Sequence, residues 1–185
     1  TAQGCLQANE LVMNTLLEKG DEVISVVPGY QQFVDVPKSL GCKVHLVELD
    51  EMNWQLSVEK FRDILNPSTK MIILNNPSNP TGTEYSRCFL NALIELCKPY
   101  NTYILCDEVY RGLNDEASIS DLYENGISTS SLSKIFSLAG LRLGWIKANT
   151  YVIHQINVRR DYSMISTGPL VDKLGRIALK HKDEL

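Results

Sequence analysis

Apolar positions along the chain change period repeatedly. Ala8, Val12 and Leu16 recur every fourth residue, which predicts a helix ending at Lys19-Gly20, where a cation and a glycine suit a last turn and its cap. Glu22–Val27 follows as a β-rich run closed by Pro28-Gly29. Residues 31–40 read as a second helix and Lys43–Val47 as a second strand, while Ser57 is placed to cap a helix with the apolar face Val58, Phe61, Ile64 and Leu65. Met71–Leu74 and Tyr103–Cys106 are short continuous apolar runs, the form of parallel strands covered on both faces. Between them Phe89, Leu93, Leu96 and Cys97 make a helical stripe. Weaker strand signals occupy Ile127–Ser130 and Leu143–Lys147, and helical patterns cover 151–162 and 170–182. Strands alternating with helices predict an α/β fold, three-layer α/β/α with a mostly parallel central sheet.

With 185 residues, 44% of them apolar, the chain can bury one substantial core, so residues 1–185 are read as one domain without repeat or linker. A net charge of −4 gives no reason to expect a nucleic-acid partner. No run of 18 apolar residues and no signal peptide are present, so no membrane partner is expected either. Cys5, Cys42, Cys88, Cys97 and Cys106 are scattered without CxxC spacing; they read as reduced, mostly buried thiols of a cytoplasmic protein, and no metal-ligand set is assigned. Lys182–Leu185 spells a retrieval signal for the endoplasmic reticulum; without a signal for reaching that compartment it reads as a chance match extending the amphipathic stretch 170–182.

In open α/β folds, ligands bind where loops leave the carboxyl ends of the strands. Three consecutive predicted strand ends carry chemistry. After Met71–Leu74 comes NNPSNPTG (Asn75–Gly82), a rigid turn in which Asn79-Pro80 can be cis. After Tyr103–Cys106 stand Asp107 and Tyr110. After Ile127–Ser130 comes SLSKIFSLAGLRLGW (Ser131–Trp145), which holds Lys134 and Arg142 among apolar and small residues. An unpaired cation in such a setting is costly unless a partner wants it.

NNPSNPTG, CDEVY (Cys106–Tyr110) and SLSKIFSLAGLRLGW, in this order, resemble the signatures of the class I/II aminotransferases, fold-type I enzymes that depend on pyridoxal 5′-phosphate. The similarity runs from Thr1 to at least Trp145. It implies that Lys134 forms a Schiff base with the cofactor aldehyde and later moves the proton between the substrate Cα and the cofactor. Asp107 would sit against the pyridine nitrogen and favour its protonated form. Tyr110 and Asn79 would hydrogen-bond the ring's phenolic oxygen, and Tyr30 would stack on the ring. Gly4, Cys5 and Leu6 match the family's phosphate turn, where backbone N–H groups at a helix start bind the phosphate. Ser131 and Arg142 match its phosphate-binding hydroxyl and guanidinium; Ser133 either donates to the phosphate or is simply small enough to let Lys134 pass. Glu108, one residue from Asp107, points elsewhere if strand alternation persists, and is left out of the site.

The resemblance further implies amino-acid and 2-oxo-acid substrates and a homodimer. Family members are about twice as long. The chain is therefore expected to be an incomplete cofactor-binding large domain, inactive by itself, lacking an N-terminal segment and a C-terminal small domain. The arginine that grips the substrate α-carboxylate is expected outside it, since Arg159, Arg160 and Arg176 stand in no matching motif. The lysine, aspartate and tyrosine set also serves lyases that eliminate at Cβ, and aminotransferase-fold sensor domains of transcription regulators; both stay open at this point.

Overall fold

The computed structural model describes residues 1–112 and 117–182. Its centre is a sheet of six strands: β1 (Glu22–Val27), β2 (Lys43–Glu48), β3 (Thr69–Asn75), β4 (Tyr103–Asp107), β5 (Gly126–Ser131) and β6 (Gly144–Lys147). Their order is β2-β1-β3-β4-β5-β6. The first five are parallel and β6 pairs antiparallel to β5. The two continuous apolar runs lie at its middle because both of their faces are covered. Met71, Ile73 and Leu105 face one layer, and Ile72, Leu74, Ile104 and Cys106 the other.

The first layer is built by α1 (Gly4–Leu16), α2 (Gln32–Ser39) and α6 (Thr150–Ser163), whose Ala8, Val12, Met13, Phe33, Val152 and Ile156 are buried against the sheet. The opposite layer holds α3 (Val58–Arg62), α4 (Arg87–Cys97) and α5 (Ile119–Leu122), through Phe61, Leu90, Leu93, Ile94 and Ile119. A last helix, α7 (Pro169–Lys180), packs Ala178 against Leu132 and Leu143. Each fully buried aliphatic side chain contributes about 1.5–3 kcal/mol, so these two apolar layers hold the sheet. The expected three-layer α/β fold with a mostly parallel sheet is what the chain forms. Among the described residues no helix is long and apolar enough to cross a membrane.

Local differences from the sequence expectation have physical causes. The first helix stops at Leu16, because Leu17 turns to an extended backbone and buries its side chain in the core. Lys19 and Gly20 belong instead to a separate turn, in which Asp21 Oδ2 accepts the Glu18 N–H. Ser57 does cap its helix, accepting the Glu59 N–H, but α3 ends at Arg62; Ile64 and Leu65 lie beyond it and still pack on the core. All five cysteines are free, and Cys88 alone among them is exposed. Asn79-Pro80 is cis, as are Asn76-Pro77 and Val27-Pro28. Residues 183–185, most of the retrieval-like terminus, lie outside the described residues.

Candidate functional site

The carboxyl ends of β1, β3, β4 and β5 and the start of α1 surround one cavity of about 270 Å³. Asp107 is the last residue of β4. Its parity with Leu105 turns the carboxylate toward α1, where it is only 6% exposed. Glu108 turns to the opposite face, as strand alternation requires. There it is buried and accepts hydrogen bonds from Ser118 Oγ (2.8 Å), Ser128 Oγ (2.9 Å) and the Ile119 N–H (2.9 Å), which ties the end of β4 to α5.

Burial raises the Asp107 pKa above the usual carboxylate range. The Asn9 amide, the Val109 N–H, the Cys5 thiol and the charge of Lys134 oppose that rise, in that order. The distances are short: Asn9 Nδ2 lies 2.7 Å from Oδ2, and the Val109 nitrogen 2.9 Å from Oδ1. The cavity thus has a buried acid in its lining that is rich in hydrogen bonds and poor in nearby positive charge.

Lys134 leaves β5 on the loop that follows Ser131. Its Nζ lies 5.7 Å from the Tyr110 ring centroid, within cation–π range. Both residues line the cavity, together with Asp107 and Asn79. Asn79 is held in place because its N–H donates to Asn75 Oδ1 (2.7 Å), while Asn75 Nδ2 donates to the Asp107 carbonyl (2.9 Å). The NNPSNPTG turn is in this way fastened to the end of β4.

The opposite rim is cationic and rich in donors. Arg142 has a left-handed backbone (φ +53°) and reaches toward the first turn of α1. Its Nη1 donates to the Ala139 carbonyl (3.0 Å) and Ser133 Oγ (3.4 Å), and its Nη2 to the Gln3 carbonyl (3.5 Å). Gly4, with φ +80°, lets this happen, since a Cβ there would stand 2.5 Å from Arg142 Nη2. Cys5 and Leu6 line the cavity in the first turn of α1, where backbone N–H groups have no intrahelical acceptor and the helix end attracts anions. Ser131 is fully buried at the end of β5 and accepts the Ser133 N–H, and both serines line the same cavity.

Tyr30, an exposed residue, lines another side and meets Phe33 edge-on. Every residue picked out from sequence therefore lines this one cavity, except Gly4, which lies behind it against Arg142. The cavity also includes residues that sequence reasoning missed, above all Asn9 and Asn75. Asn9 had one visible signal: it is an amide in the otherwise apolar row Cys5–Asn9–Met13 on the buried face of α1. Among the described residues no group of His, Cys, Asp or Glu is arranged to hold a metal ion. An amine, a buried acid, a phenol and an anion-binding helix end around one small cavity suit a ligand with a cationic ring atom, a carbonyl and an anionic tail.

The family model for aminotransferase class I and II matches residues 1–178. A PLP-dependent aminotransferase of Streptococcus suis superposes with a TM-score of 0.96 at 45% identity, covering 99% of this chain and 50% of that one. The aspartate aminotransferase of Pyrococcus horikoshii is 28% identical over 97% of this chain and 48% of its own length. The human kynurenine–oxoglutarate transaminase 3 is 30% identical over 93% of the chain and 42% of its own length. The chain thus spans about half the length of the relatives it matches.

Proposed function

This chain belongs to the family of class I and II aminotransferases, and from that premise we propose that it forms the pyridoxal 5′-phosphate-binding part of an enzyme moving an amino group from an amino acid to a 2-oxo acid. The observation that carries the proposal is the single cavity joining Lys134, Asp107 and Arg142. Its residues fit the cofactor at both ends. Among the described residues the buried Asp107 carboxyl has no ion-pair partner, the charge of Lys134 acting on it more weakly than its hydrogen bonds, and a protonated ring nitrogen would supply one. The guanidinium of Arg142, the hydroxyls of Ser131 and Ser133 and the first turn of α1 would hold a phosphate. The Streptococcus suis relative, described as PLP-dependent, supports the same choice.

When bound, pyridoxal 5′-phosphate supplies an aldehyde that captures amines and a ring that accepts electrons released at Cα. Asp107 would hold a proton on the ring nitrogen. Tyr110 and Asn79 would donate to the phenolic oxygen, and Tyr30 would cover the ring face. Lys134 Nζ would anchor the ring through its amine and, once an incoming amino group has displaced it, would hold and move the proton taken from the substrate Cα. Its neighbour Tyr110 keeps the amine over the cavity. The substrate amino acid, the residue that grips its carboxylate, a homodimeric assembly and a cytoplasmic location belong to the proposal for the longer protein; the buried, free thiols support the last of these.

Mixing the protein with pyridoxal phosphate should move its absorbance from the free-aldehyde band to that of a lysine-bound form, and Lys134→Ala should abolish the change. A wild-type protein whose titration leaves the free-aldehyde spectrum untouched would contradict the proposal. Transfer is then read on the longer protein by pairing 2-oxo-acid formation with an equal amount of new amino acid. Keto acid formed without that product would reject transamination.

A further inference from the structure

Asp107 Oδ2 is met by the side chain of Asn9, itself only 1% exposed and positioned by two other elements. Gln32, at the start of α2, donates Nε2 to the Leu6 carbonyl at 2.7 Å. A carbonyl can only accept, so the Gln32 nitrogen must face Leu6 and its oxygen must face Asn9. That oxygen stands 3.3 Å from Asn9 Nδ2. At the other end of the amide, Thr129 Oγ1 in β5 donates to Asn9 Oδ1 at 2.5 Å. The orientation of Asn9 is therefore set from both sides, with its NH₂ aimed at Gln32 and Asp107 together.

We propose that Asn9 is a positioning residue for Asp107: clamped by Gln32 and Thr129, its amide holds Oδ2 as an acceptor and so sets the carboxylate to receive a cationic ring nitrogen. This rests on the pyridoxal phosphate reading above. With Val109 N–H on Oδ1, both oxygens accept a hydrogen bond, an arrangement that favours the ionised acid in a buried place. The other groups facing Asp107 are the Cys5 thiol of α1 and Lys134 on the loop after β5. Lys134 is the amine that the cofactor aldehyde would consume, so the neutral clamp is what remains to hold the carboxylate once the ligand is bound.

The test compares Asn9→Leu, Thr129→Val and Thr129→Ser with the wild type in two measurements. In the cofactor-free protein, carboxyl ¹³C NMR should show the Asp107 titration midpoint rising by about one pH unit in Asn9→Leu, as loss of one donor to a charged group implies. Thr129→Val should give a smaller rise and Thr129→Ser the wild-type value. Thr129→Val is nearly isosteric, so it keeps the test open if Asn9→Leu does not fold. In ligand titrations, Asn9→Leu should weaken pyridoxal phosphate about tenfold but leave unchanged the analogue with a carbon in place of the ring nitrogen. An unmoved midpoint would overturn the clamp, and equal weakening of both ligands would reduce Asn9 to packing. A wild type that binds neither ligand would defeat the pyridoxal phosphate reading, and the midpoint would then decide on its own whether Asn9 governs Asp107.

Discussion

Replacing Gly4 by alanine separates the stability of this fold from the phosphate binding proposed for it. Gly4 has φ +80°, and an added Cβ would stand 2.5 Å from Arg142 Nη2 and 3.1 Å from Cζ. The left-handed backbone costs an alanine about 1–2 kcal/mol. In a domain of this size each kcal/mol lowers the melting temperature by about 2–4 °C. The clash itself falls on the far end of a flexible side chain, so the guanidinium moves and the fold survives. Its displacement would forfeit the charge-assisted hydrogen bonds proposed for the phosphate, worth about 1.5–3 kcal/mol, or roughly 10- to 150-fold in affinity for pyridoxal phosphate. Thermal unfolding and absorbance titration read the two effects separately. A double-mutant cycle assigns the second, because in an Arg142→Ala background Gly4→Ala should add little further loss of affinity. Unchanged affinity in Gly4→Ala, or an equal loss with and without Arg142, would refute the reasoning. Gly144→Ala is the contrast. Its Cβ would meet the backbone of Gly4 at 2.5 Å, where Gly144 and Ala2 also exchange two 2.9 Å hydrogen bonds, so it should damage folding itself.

Glu22 is held at a pKa of about 2 by hydrogen bonds from Asn66, Lys43 and His45. A depressed carboxyl pKa stabilises the fold above its ordinary value of 4.5, and that contribution fades as pH falls toward 2. Glu22→Gln should therefore be less stable than wild type at pH 7, with the gap closing in acid; denaturant midpoints measured across that range would contradict this if the gap stayed constant. The thiols give an independent check. Burial raises the pKa of Cys5, Cys42, Cys97 and Cys106, with Cys97 pushed up to about 12, whereas Cys88 is exposed. A thiol reagent should modify Cys88 rapidly in the native protein and the other four only on unfolding, and peptide mapping that finds a second rapid site would count against the packing described.

Much of the site could be read in the sequence because its chemistry stands at strand ends. Asp107 and Asn79 each follow an apolar run whose end is plain, Lys134 follows the weaker strand signal Ile127–Ser130, and the sheet order β3-β4-β5 makes those ends neighbours. The antiparallel direction of β6 had no local signature, since a short strand reads the same either way. The Asn9 clamp could not be seen either. Its partners Asp107 and Thr129 lie 98 and 120 residues away in the chain, so only the folded arrangement brings them together. Cys5 was expected to act mainly through its backbone, and its thiol also reaches Asp107. The cap at Lys19-Gly20 failed because burial of Leu17 outweighed a local preference for ending the helix later.

The central claim is that one amine in this chain captures an aldehyde. Reducing the mixture of protein and pyridoxal phosphate with borohydride makes any such link permanent, and mass spectrometry of the digest then shows which residue carries it. The phosphopyridoxyl group should be found on Lys134, at close to one per chain. Modification spread over surface lysines, or a Lys134 peptide recovered unmodified, would contradict the account.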